Sequence, residues 1–213
     1  EYKQKALQGY AEKFIPTLKQ ELSTKMLGFK RDKELGREFV RAVIDGTSTN
    51  PKATKMAGEA KQMLDFTRER FNRFGGDVGT LRTGKGYLPQ SHDSIAVRNT
   101  PKDEWVKFTK PLLDDMNQAD MELGRLDLDY IYDTIATGGL NKIKEGGIGG
   151  GGRGKSVANK HAEERVLDFK DADAWIAYQE RFGGADPMAA LDDHIRSMTT
   201  DMALIETLGP NPD

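Results

Sequence analysis

The chain has no cysteine, which excludes disulfides and thiolate metal centres and leaves the redox compartment open. It has no excess of positive charge. The 32 Lys and Arg stand against 34 Asp and Glu, for a formal net charge of −2, so the overall charge gives no grip on nucleic-acid phosphates. No apolar run approaches the roughly 20 residues that a membrane-spanning helix needs, and no secretory signal pattern is visible. Histidine is scarce, with three in 213 residues, so each can be weighed by itself.

What is present points to helices. Hydrophobic residues make up 37% and charged residues 31% of the chain, enough for a thin core and better suited to extended helical layers than to a sphere. Leu7, Tyr10, Phe14, Leu18, Leu22 and Met26 recur at three- and four-residue steps and predict a first helix, kinked at Pro16. Leu35, Phe39, Val40, Val43 and Ile44 predict a second, stopped by Gly46. Asn50-Pro51 reads as a cap followed by a first helical residue, opening a third helix over Met56, Ala60, Met63, Leu64, Thr67 and Phe71 that ends at Gly75-Gly76.

Residues 77–100 lose the helical period, broken by Gly79, Gly84, Gly86 and Pro89, and a loop this long is often functional. Within it, residues 94–97 read as a short strand, which would pair with a second alternating segment at residues 166–169. Thr100-Pro101, with Asp103 in the capping-box position, restarts a helix whose face carries Trp105, Phe108, Leu112, Leu113 and Met116, bent at Pro111. Leu126, Tyr130, Ile131 and Ile135 predict another helix, ending at Gly138-Gly139. Asp171 or Asp173 starts a helix bearing Trp175, Ile176, Gln179 and Phe182. Asp186-Pro187 starts the last, whose stripe of Leu191, Ile195, Met198, Met202, Ile205 and Leu208 is expected to pack on the Trp175 helix. The fold class is therefore mainly α, a layered or elongated multi-helix bundle with at most one very small β-sheet.

Residues 138–156, GGLNKIKEGGIGGGGRGKS, hold the one match to a named chemical motif. Gly149, four residues, then Gly154-Lys155-Ser156 fits the phosphate-loop pattern. A working loop follows a buried strand and opens a helix, whereas the residues before this one are polar and glycine-rich. We read the run as a flexible connector, with a nucleotide-binding module as the alternative and no cofactor expected. Among the histidines, His92 lies beside Asp93, a base with an orienting partner in a hydrolytic reading. His161 has Glu164 within one helical turn, a spacing that suits a metal. His194 falls between Asp193 and Arg196 on the polar side of the last helix. The ordinary reading of all three is a surface or turn-capping role. Met188, Met198 and Met202 follow helical spacing and read as core.

Two parts of the chain carry a resemblance. The string GYLPQSHD over residues 86–93, together with HAEER from 161, DFKDADAW from 168, YQERFG from 178 and LGPNP from 208, resembles large internal virion proteins of tailed phages and prophages. The resemblance implies a structural role: a helical piece of a protein packaged near the portal and ejected with the genome. It would assemble with copies of itself or with other virion proteins, and DNA would pass it without sequence-specific binding. The alternative is a hydrolytic domain with a site around His92, Asp93 and His161. We divide the chain into a helical part at 1–76, a long loop with central helices at 77–137, a glycine-rich linker at 138–157 and a helical part at 158–213. The non-Met start and the Pro-rich end lead us to expect a piece of a longer polypeptide.

Overall fold

The computed structural model describes residues 33–73, 78, 86–139, 167–183 and 187–208, with side chains to 202. The first predicted helix, Gly75-Gly76, the glycine run from residue 140 onward and residues 161–166 lie outside them. Within the described residues the chain is mainly helical, with eight α-helices and no named strand. The helices are α1 (Lys33–Ile44), α2 (Pro51–Arg73), α3 (Ser94–Arg98), α4 (Lys102–Thr109), α5 (Asp115–Glu122), α6 (Leu128–Ala136), α7 (Ala172–Phe182) and α8 (Pro187–Leu208).

Helix α1 buries Leu35, Phe39, Val40 and Ile44 and carries Glu34 in its first turn and Arg41 in its last, matching the helix dipole. Gly46, at φ 67°, ends it in the left-handed conformation that glycine adopts without strain. Helix α2 opens as its sequence predicts. The Asn50 side chain accepts hydrogen bonds from the amides of Lys52 and Ala53, at 3.0 and 3.3 Å. Its buried face runs from Ala53 through Met56, Ala60, Met63 and Leu64 to Phe71, and it packs along α1. Thr67 lies on that face with its hydroxyl satisfied by the carbonyls of Met63 and Leu64.

Two expectations change in the middle of the chain. Residues 94–97 belong to α3, not to a strand. Asp93 caps this helix, its Oδ1 accepting from the amides of Ile95 and Ala96 at 2.9 and 3.0 Å. The alternating segment near 169 instead pairs with Leu113, through a single antiparallel bridge to Phe169. Asp114 N donates to Asp168 O at 2.9 Å and Lys170 N to Leu112 O at 3.0 Å, so among the described residues the pairing is one rung long and no sheet forms.

The helix expected to run from 101 past Pro111 is three pieces: α4, a 3-10 turn Lys110–Leu112, and α5. Proline lacks the amide that would continue an α-helix, and the chain leaves the 3-10 turn extended at Leu113. Asp114 then caps α5 through the Asn117 amide, and Met116 is exposed rather than on a core face. Thr100 does not cap α4. Its hydroxyl donates back to Ala96 O, and Pro101 takes the cap position with no side-chain bond.

Helix α6 starts at Leu128, one residue after its cap Asp127, so Leu126 precedes it. Asp171 caps α7 through the Ala174 amide at 2.7 Å. The Ala172 amide donates to the Asp45 carboxylate at 3.2 Å, which adds a second acid at the same positive helix end.

One core gathers Leu35, Phe39 and Val40 of α1, Trp105 of α4, Leu113, Ile131 of α6, and Trp175, Tyr178 and Phe182 of α7. Its centre is aromatic: Trp105 lies 6.3 Å from Tyr178, and Phe169 5.2 Å from Tyr178, between ring centroids. The last helix places its stripe inward, with Leu191, Ile195, Met198 and Met202 buried. Its main partner is α2 rather than the Trp175 helix, and Met188, Leu191 and Ile195 join the main core. Met198 and Met202 meet Phe71 and Val78 in a small second cluster. Asn72 holds Val78 there with two 2.8 Å bonds to its backbone.

Candidate functional site

The loop at residues 86–93 is built against three other elements. Gly86 donates to Ile44 O at 3.2 Å, and a Cβ on it would fall 1.7 Å from Val43 O. Only glycine fits that approach. Beyond it Leu88 is buried, and the Gln90 amide group donates to Leu167 O. Ser91 Oγ donates to Gln179 Oε1 at 3.1 Å, and the Asp93 amide donates to Phe182 O at 2.8 Å. The loop is thereby fastened to α1, to the segment before α7, and along α7 itself.

His92 meets Tyr178 inside this arrangement. Its Nδ1 lies 3.0 Å from the Tyr178 hydroxyl, with the rings edge to face at 5.6 Å. Burial pushes the imidazole down to about 4 and raises the tyrosine hydroxyl above its ordinary value, because removal from water disfavours either charged form. The Trp105 indole N–H offsets part of the tyrosine shift, although its approach falls short of hydrogen-bond geometry. At neutral pH both partners are therefore uncharged. Asp93 spends Oδ1 on the start of α3, and His92 Nδ1 faces Tyr178 instead. His161, Glu164, Gly154, Lys155 and Ser156 lie outside the described residues.

A cleft of about 210 Å³ opens between this loop and α8. Tyr87, Pro89, Gln90 and Ser91 line it from the loop, Ala190, Asp193, His194 and Ser197 from α8, and Asp168 lines it as well. The α8 residues share a face because they follow one another at three- and four-residue steps. The His194 and Tyr87 rings lie edge to face at 5.7 Å, and Gln90 Oε1 is buried without a hydrogen-bond partner among the described residues.

The cleft is the feature that reading along the sequence misses. The 190, 193, 194, 197 spacing was visible, but its other wall lies about a hundred residues away. Among the described residues no three His, Cys, Asp or Glu side chains converge as a metal site would require. No described helix is long and apolar enough to cross a membrane. No protein-family model, no curated protein and no solved structure matches this chain.

Proposed function

We propose that the chain is a structural segment of an internal virion protein of a tailed phage or prophage, one that assembles with copies of itself or with other virion proteins for genome delivery. One observation carries this reading. The strings that carry the resemblance, at residues 86–93 and 168–183, bind each other, and their polar side chains serve the architecture. Gln90 holds the Leu167 carbonyl, Ser91 holds Gln179, His92 holds Tyr178 and Asp93 caps α3. Asp171 caps α7.

A hydrolytic role would need His92 to take a proton at working pH. An imidazole pushed down to about 4 and turned toward a buried tyrosine is a weak base for that task. The residues that make the strings distinctive are thus accounted for by a fold that must be held together, which suits a structural protein.

The test is mass spectrometry of particles from a phage or induced prophage that encodes the chain. Its peptides are expected in DNA-filled particles and depleted from particles emptied by ejection. Absence from filled particles would overturn the reading. So would turnover of cell-wall polymer or nucleotide by the purified chain that is lost in His92→Gln.

A further inference from the structure

We propose that the exposed face of α5 is the docking site for residues 18–26 of the same chain. Of the eight residues of α5 only Asn117 is buried. Away from it Met116, Ala119 and Leu123 stand exposed at steps of three and four, on one side of the helix. Among the described residues four large apolar side chains are exposed, and Met116 and Leu123 are two of them, at 42% and 62%. Asp115 and Glu122, both exposed, lie along the edge of the same side. The helix has no Lys or Arg, and its last turn holds the acid Glu122 where the dipole favours a base. The next cation along the chain, Arg125, is turned to Asp120 at 3.7 Å.

Charge and reach select the occupant. A second copy of α5 would set Asp115 and Glu122 against like charges, and an anionic lipid surface would repel both. Residues 1–32 hold seven Lys and Arg against four Asp and Glu, the opposite sign. In the helix expected there, Leu18, Leu22 and Met26 form the part beyond Pro16. Lys25 lies three residues after Leu22 and seven after Leu18, on their side. Apolar side chains with a cation among them complement an apolar face edged with acids. The distance also fits. Helices α1 and α7 run antiparallel, as the pairs Arg37–Glu180 and Arg41–Asp173 show, so α1 begins beside the end of α7. Helix α5 begins beside the other end, where Leu113 bridges Phe169. The eleven residues of α7 span about 16 Å, and the six residues between Met26 and Lys33 can span about 20 Å. The docking does not depend on a virion role, so either proposal can fail without the other.

The test uses the full chain, which has no cysteine, so Ser23→Cys gives a single site for a nitroxide spin label. The methyl signals of Met116 and Leu123 are followed by NMR. Most of their intensity should be lost in the labelled chain and regained when the nitroxide is reduced. A spin-labelled chain without isotopes, mixed with an isotope-labelled chain without nitroxide, should leave the signals intact, because the contact is within one chain. Glu122→Lys should lower the docked population about two-fold. Leu123→Gln should restore the Met116 signal in the spin-labelled chain. Both positions are exposed, and unchanged ring resonances of the buried Trp105 check that the core is intact. Full Met116 and Leu123 intensity in the spin-labelled chain, loss in the mixed sample alone, or loss that survives Leu123→Gln would each overturn the proposal.

Discussion

An alanine at position 86 would set its methyl carbon 1.7 Å from the Val43 carbonyl oxygen, and backbone cannot yield as a flexible side chain can. Gly86→Ala is expected to cost about 3 kcal/mol in urea unfolding, at the severe end of overpacking. Gly46→Ala makes the useful contrast. Its Cβ would meet nothing within 4 Å, so the cost is conformational alone, about 1–2 kcal/mol for a left-handed residue. A Gly86 variant as mild as the Gly46 variant would show that the loop does not seat on α1 as described.

His92 gives a second prediction, in pH. Its folded pKa is pushed down to about 4 from an ordinary 6.5, so the unfolded chain binds the extra proton between those values. Stability is then full above pH 6.5, falls as pH drops through the window, and stops falling on this account near pH 4. Melting temperatures across pH 7 to 4 should fall more shallowly in His92→Gln than in wild type. Parallel curves would mean that the ring is not desolvated.

At the level of helices and turns, Asp93 is a cap, and its replacement should behave as a cap's does. Asp93→Ala is expected to lose about 1 kcal/mol and Asp93→Ser to retain most of it, as measured by thermal unfolding. Ile195→Ala should lose about 2–5 kcal/mol, since that side chain is buried. The partner of α8 can be read from coupling. Phe71→Ala and Met198→Ala should be non-additive by about 0.5–3 kcal/mol, whereas Trp175→Ala and Met198→Ala should add.

The helices with several turns were readable in advance, because α1 and α2 are long enough for a 3.6-residue period to declare itself and Asn50-Pro51 marks a start. Residues 94–98 were not. Five residues make less than a turn and a half, too few for a 3.6-residue period to show, and the β-branched Ile95 and Val97 two places apart read as one face of a strand; in the structure Ile95 is exposed and Val97 buried, on opposite sides of the helix. The signal that decides it is Asp93, a capping residue that sequence reading had assigned to His92. Likewise the stripe on α8 was readable but its partner was not. A stripe says which face is buried, and the choice between α2 and α7 depends on contacts with no local trace.

On the scale of the molecule, helices on both sides of the glycine run share one core. Ion pairs between α1 and α7, Arg37 with Glu180 at 2.8 Å and Arg41 with Asp173 at 3.0 Å, lie at the exposed rim and add little, so apolar packing is what joins the two flanks. Relative motion of the flanks, which a hinge at the run would serve, requires that core to open. A chain cut by protease within residues 140–166 should therefore elute as one particle and melt in one transition. Separation of the pieces on a sizing column would show that the shared core is too weak to hold them.

The same pairing sets a delay during synthesis. The partners Arg41 and Asp173 are 132 residues apart and Arg37 and Glu180 143 apart. At roughly 5–20 residues per second a ribosome needs about 7–29 s to cover such an interval. For that time Phe39 and Val40, fully buried in the finished fold, wait outside the exit tunnel for the α7 side of their core, which makes the nascent chain a natural client for chaperones that shield apolar segments.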